Sequence, residues 1–179
     1  YYQQLGIPDS VSQIVAELGE FALEGYRTKV PEKPGAGEFL KLLWENRIPI
    51  AVATASNEEG VRLALERLGM LSRVSFLTTC TQVGKSKEHP DIFLRCAEEF
   101  GASPKESVVF EDSAYSIRTA RSAGFPVVAV EDAISLQGKG ESETPQGLAQ
   151  LANLVIPDYH QLIAQLTPAE DLGLGNLLG

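Results

Sequence analysis

Apolar residues recur along this chain in alternating helical and strand periods. Val11, Ile14, Val15, Leu18, Phe21 and Ala22 fall at helical spacing. Ser10 can cap that helix, with Gln13 at the capping-box position, and the pattern predicts a helix to about Lys29. Pro31 and Pro34 punctuate a short linker. Beyond Gly35, residues Phe39, Leu40, Leu43 and Trp44 share one face of a second predicted helix. Ile48–Ala53 (IPIAVA) is a short apolar run that predicts a buried parallel strand. Helix is predicted over Asn57–Leu68, closed by Gly69, and over Pro90–Phe100, closed by Gly101. A strand is predicted over Val74–Thr78, another over Val108–Phe110, and a helix over Ser113–Ala123. Val127–Val130 and Leu154–Ile156 predict two further strands, and Asp158 can cap a last helix to about Leu166. Gly138–Gly147 (GKGESETPQG) reads as a flexible surface loop, and the Leu- and Gly-rich tail from Thr167 shows no periodicity.

Strands alternating with helices at this spacing predict an α/β domain with a mostly parallel sheet and right-handed crossovers. The first helix precedes the first strand–helix unit and has no strand of its own to pack on. It reads as the remnant of a second, helical element.

The 179 residues are enough for one domain with a real core, and 44% of them are hydrophobic. A net charge of −9 argues against binding to nucleic acid or an anionic membrane and fits a cytoplasmic enzyme handling small molecules. Cys80 and Cys96 lack the clustering of a zinc site or a disulfide framework, so both read as buried free thiols in a reducing compartment. No apolar run reaches the ~18 residues of a membrane span. The sequence starts at Tyr1 and its only methionine is Met70, which leads us to expect residues upstream.

In open parallel sheets, ligands sit at the carboxyl ends of the strands. Thr54 follows one predicted strand, and Glu111-Asp112 follow another. Thr54-Ala55-Ser56-Asn57 offers a hydroxyl and backbone N–H groups at a helix start, which suits a phosphate; simple capping by Ser56 or Asn57 would produce the same pattern. Two adjacent carboxylates at the end of a buried strand repel unless a cation offsets them, and Mg²⁺ takes one or two carboxylates plus phosphate oxygens and waters. Alternatively, Asp112 or Ser113 caps the next helix and Glu111 is solvated. Lys87, in the loop Gly84-Lys85-Ser86-Lys87-Glu88-His89-Pro90, could neutralise a phosphoryl group or be a solvated lysine, with Lys85 as its rival and His89 as a turn residue. Gly84-Lys85-Ser86 is not a P-loop, because the required first glycine position holds Thr79.

Together, Lys33–Asn57, Ser86–Ser113 and Ile117–Val130 resemble the haloacid dehalogenase-like superfamily, in its branch of phosphatases and β-phosphoglucomutase-like enzymes with a helical cap. The resemblance implies a Rossmann-like α/β core with flanking helices at residues 33–166, the end of a helical cap at 1–32, and a tail at 167–179. It implies that Thr54 and the Ala55 N–H hold the transferring phosphoryl, that Lys87 is the motif lysine because it stands three residues before Pro90, and that Glu111 and Asp112 hold Mg²⁺. The family's nucleophile is the first Asp of an Asp-x-Asp at the end of a first strand. None of Asp9, Asp91, Asp112, Asp132, Asp158 and Asp171 has a second Asp two positions on. The nucleophile and the substrate-selecting part of the cap are therefore expected upstream of Tyr1.

The resulting expectation is a Mg²⁺-dependent phosphatase or phosphomutase acting on small phosphorylated metabolites through an aspartyl-phosphate. The alternatives are a non-catalytic, truncated domain that binds a phosphorylated ligand or a partner, and a receiver-like phosphoacceptor domain, which Lys87 and the strand order suit less well. Haloacid dehalogenation would not call for the Glu111-Asp112 pair.

Overall fold

The computed structural model describes residues 11–131 and 144–166. Helix α1 (Val11–Thr28) is followed by α2 (Ala36–Glu45), β1 (Ala51–Thr54), α3 (Glu58–Arg67) and β2 (Phe76–Thr79). Then come a single-turn helix α4 (Cys80–Val83), α5 (Asp91–Glu99), β3 (Val109–Glu111), α6 (Ala114–Ser122) and β4 (Val127–Val130). The described chain closes with α7 (Pro145–Ala149), β5 (Leu154–Ile156) and α8 (Tyr159–Gln165). The α/β class is as predicted, and every strand pairing is parallel.

The sheet comes in two pieces, β1-β2 and β3-β4-β5. Among the described residues, β1 and β3 do not pair with each other, and each has one open edge. The pieces nevertheless share a core. All four residues of β4 are buried. Val127 and Ala129 face a cluster with Ile92 and Phe93 of α5, Ile117 of α6 and Leu148 of α7, and Ala53 of β1 packs against that same cluster. Val128 and Val130 face the opposite side, with Phe39 and Leu43 of α2, Ile156 of β5 and Leu162 of α8. Helices therefore cover both faces, the arrangement that near-continuous apolar strands such as Val127–Val130 require.

Several boundaries differ from the sequence reading for local reasons. β1 starts after Pro49, because proline has no N–H for the ladder. Trp44 is 57% exposed, one helical step round from Leu43 and off the buried stripe. The predicted loop at Gly138–Gly147 ends early. Its residues 138–143 lie outside the described residues, but Thr144 accepts from the Gly147 N–H at 3.1 Å and Pro145 opens α7. Cys80 and Cys96 are free, as expected, but half-buried rather than buried. Burial still pushes the Cys96 thiol up to about 11. Ser10 and the tail from Thr167 lie outside the described residues.

The linker into α2 is held firmly. Gly35 has φ +79°, and a Cβ there would stand 2.6 Å from the backbone nitrogen of His160, so only glycine fits beneath the start of α8. Beside it, the Pro34 carbonyl accepts from the Tyr159 N–H at 3.0 Å. This pinning sets the position of the residues just before it.

Candidate active site

Glu111 ends β3 and is 7% exposed, so it is not the solvated carboxylate that one alternative foresaw. Its Oε1 accepts from Lys87 Nζ at 2.5 Å, and its Oε2 accepts from the backbone N–H groups of Asp112 at 2.7 Å and Ser113 at 3.0 Å. Neither Asp112 nor Ser113 caps α6 by a side chain; Ser113 is the N-cap residue and makes no side-chain cap bond. The buried glutamate instead takes up the free N–H groups at this turn. The rival of Lys87 in the loop, Lys85, instead pairs with Asp91 at 2.7 Å on the exposed side. His89 donates its N–H to the Ser86 carbonyl at 3.0 Å, as a turn residue does.

Asp112 faces a second cation. Lys33 Nζ lies 3.3 Å from Asp112 Oδ2, and the Ser113 hydroxyl lies 3.3 Å from Oδ1. Burial works against the Asp112 charge, but Lys33 beside it and the hydrogen bonds from its neighbours outweigh that and hold the carboxyl below the usual carboxylate range. Burial, followed by the nearness of Asp112 and Glu111, pushes the Tyr159 phenol up to about 12, so it stays protonated beneath the acid pair. Its ring stacks on Phe39 at 5.3 Å and leans on Phe110 at 5.8 Å, within the core cluster on that face of the sheet.

Among the described residues, no group of three or more His, Cys, Asp or Glu side chains gathers as a metal cage. The two carboxylates do fit a hard cation in donor type. A carboxylate offers about four lone-pair sites. Glu111 spends three of its own on Lys87 and the two N–H groups, which leaves one on Oε1. Asp112 keeps more in reserve. Mg²⁺ is commonly held by one or two carboxylates, with waters and phosphate oxygens completing the shell.

Thr54 and Ala55 lie at the carboxyl end of β1, in the other piece of the sheet. The Thr54 hydroxyl accepts from the Ser56 N–H at 3.0 Å, and Asn57 caps α3 by accepting from the Gly60 N–H at 3.2 Å. Capping thus accounts for Asn57, while the Thr54 hydroxyl orders the loop itself. The structure therefore joins Lys87, Glu111, Asp112 and Lys33 in one cluster and leaves Thr54-Ala55 at the carboxyl end of β1, in the other piece of the sheet. A groove of about 1040 Å³ lies elsewhere, between β2 and α5 and lined by Phe76, Leu94 and Arg95. Its lining mixes apolar and charged side chains and contains none of these residues.

Sequence reasoning missed two contributors. Lys33 carried no motif signal; the only hint is its place before Pro34, which restricts it to extended backbone. Tyr26, on α1, donates its hydroxyl to Ser56 Oγ at 2.7 Å. Its ring lies over Gly60, where a Cβ would stand 2.6 Å from Cδ2. Arg67, at the end of α3, donates to the carbonyls of Tyr26 and Val30, so α1 packs on α3, while the Tyr26–Ser56 bond ties it to the loop that follows β1. Tyr26→Phe is expected to lower stability by about 1 kcal/mol, and the effect should vanish in a Ser56→Ala background. Urea unfolding of the four proteins checks this; equal losses in both backgrounds would mean the hydroxyl pair is not coupled.

A family model described as a haloacid dehalogenase-like hydrolase matches residues 3–124. The fructose-1-phosphate phosphatase of Escherichia coli is 37% identical over 87 residues, which cover 49% of this chain and 46% of that protein. A Drosophila melanogaster protein assigned as a pseudouridine-5'-phosphatase is 38% identical over 126 residues, covering 67% of this chain and 54% of that one. Among solved structures, a Thermotoga maritima protein assigned as a beta-phosphoglucomutase superposes with a TM-score of 0.71 at 26% identity, covering 86% of this chain and 68% of that one. The chain spans about half the length of the curated relatives it matches.

Proposed function

The chain belongs to the haloacid dehalogenase-like hydrolases, and on that premise we propose that it is part of a Mg²⁺-dependent phosphatase or phosphomutase acting on small phosphorylated metabolites. The observation that carries this reading is the cluster of Lys87, Glu111 and Asp112 at the carboxyl end of β3, with Thr54 at the carboxyl end of β1. That end of a parallel sheet is where substrates bind.

In this reading an Asp nucleophile outside residues 1–179 attacks phosphorus and forms an aspartyl-phosphate as the P–O bond to the leaving group breaks; water or a second hydroxyl then takes the phosphoryl. The open edges of β1 and β3 support a further strand between them, which would bring that Asp to the site. Residues 33–166 are then a core lacking that strand, residues 1–32 the end of a helical cap, and 167–179 a tail. The outward stripe of Val15, Leu18 and Phe21, each more than half exposed, suits α1 as part of such a cap.

Each residue has a defined task. The Thr54 hydroxyl and the Ala55 N–H hold the phosphoryl oxygens. Lys87, fixed by Glu111, sets an ammonium where negative charge develops. Asp112 and the remaining lone pair of Glu111 would hold Mg²⁺, which when bound offsets phosphoryl charge. A cytoplasmic location suits the two free thiols.

The test is a phosphomonoester screen with and without Mg²⁺, run on the 179-residue chain and on the parent gene product. The parent is expected to turn over at least one sugar phosphate only when Mg²⁺ is present, and the chain alone none. Turnover by the chain alone would sink the outside nucleophile, and a parent inert on every phosphoester would sink the enzymatic reading.

A further inference from the structure

We propose that Lys33 is a built-in competitor for the divalent cation: its ammonium occupies the charge position at Asp112 until Mg²⁺ displaces it. The inference rests on the reading above that Asp112 holds the cation.

Three observations carry it. Lys33 Nζ stands 3.3 Å from Asp112 Oδ2, and both side chains are about a third exposed, so the pair is open to an incoming ion. The cluster is already balanced, since Lys87 offsets Glu111 and Lys33 offsets Asp112. The lysine is also delivered by fixed backbone. Its own carbonyl accepts from the Ala36 N–H at 2.9 Å, the neighbouring Pro34 carbonyl accepts from Tyr159 N–H at 3.0 Å, and Glu32 Oε2 accepts from the Gly37 N–H at 2.7 Å. A surface lysine in a loose loop would have none of these anchors on either side.

The sign follows from Coulomb's law. A divalent ion arriving at Asp112 must either displace the ammonium or bind a few ångströms from it, and both weaken its binding. Removing that charge should therefore tighten cation binding by about tenfold at low salt, and the gain should shrink as ionic strength rises.

Mn²⁺ binding to the 179-residue chain, followed by water-proton relaxation and displaced with Mg²⁺, tests this without any turnover. The proteins are the wild type, Lys33→Met, Lys33→Arg and Asp112→Asn. Lys33→Met is expected to bind Mn²⁺ about tenfold more tightly, Lys33→Arg to match the wild type because it keeps the charge, and Asp112→Asn to lose the site. If Lys33→Met binds no more tightly while Asp112→Asn loses binding, the competitor role is overturned and the metal site stands. If Asp112→Asn binds as well as the wild type, or if no protein binds Mn²⁺, the metal reading falls and the competitor role falls with it.

Discussion

Lys87→Met is expected to lower phosphoester turnover by at least ~10²-fold and to destabilise the fold by about 3 kcal/mol. The two losses have different origins. Lys87 and Glu111 have side chains only 16% and 6% exposed, so the variant leaves a carboxylate with one oxygen unpaired away from water. Removing one partner of a buried pair costs more than the pair is worth, because the remaining charge keeps its desolvation penalty. Turnover falls because the ammonium no longer meets the charge on the transferring phosphoryl. The double variant Lys87→Met/Glu111→Gln separates the effects. The amide carbonyl still accepts from the N–H groups of Asp112 and Ser113 and carries no charge, so most of the stability should return while the rate stays low. Urea unfolding of the chain and initial rates of the parent gene product check this. A rate that recovers along with the stability would make Lys87 structural only.

The strong local patterns were legible in the sequence, and so was the part of the site that lies on strand ends. β4 and β5 fall at the predicted residues, because Val127–Val130 and Leu154–Ile156 are short apolar runs with sharp polar or proline boundaries. β1 and β2 begin later than predicted, since the apolar runs extend past the paired residues: Ile50 is buried and its carbonyl accepts from the Phe76 N–H, yet it precedes β1. The single-turn α4 was invisible to periodicity, being too short to show a face; its capping box, Thr79 with Gln82, is the signal that was there to be read. Lys33 and Tyr26 could not be read as parts of the candidate site. Their roles depend on where the linker and α1 cross the ends of the sheet, and that is a tertiary fact with no local pattern.

Adjacent carboxylates at a strand end do require positive charge, but here two lysines supply it, so the Glu111-Asp112 pair alone does not demand Mg²⁺. The reading rests instead on the donor chemistry and on the family. Because the two carboxylates are engaged so differently, they should fail differently.

Asp112→Asn is expected to remove the Mg²⁺ response of the parent enzyme almost entirely while leaving the fold close to wild type. Its side chain is 32% exposed, its Lys33 partner can turn to solvent, and its amide can still meet the Ser113 hydroxyl. Glu111→Ala should do the opposite in proportion. It strands Lys87 and two backbone N–H groups away from water, for a loss of about 3–5 kcal/mol, while removing only one lone pair from the metal's reach. In the combined Glu111→Ala/Asp112→Ala variant, any residual rate should not depend on Mg²⁺. Rates measured across a Mg²⁺ titration, alongside urea unfolding of the same proteins, distinguish these outcomes. An Asp112→Asn enzyme with an unchanged Mg²⁺ midpoint and full rate would mean that the cation is held by other groups. The acid pair would then serve only to hold Lys87 and Lys33 over the end of β3.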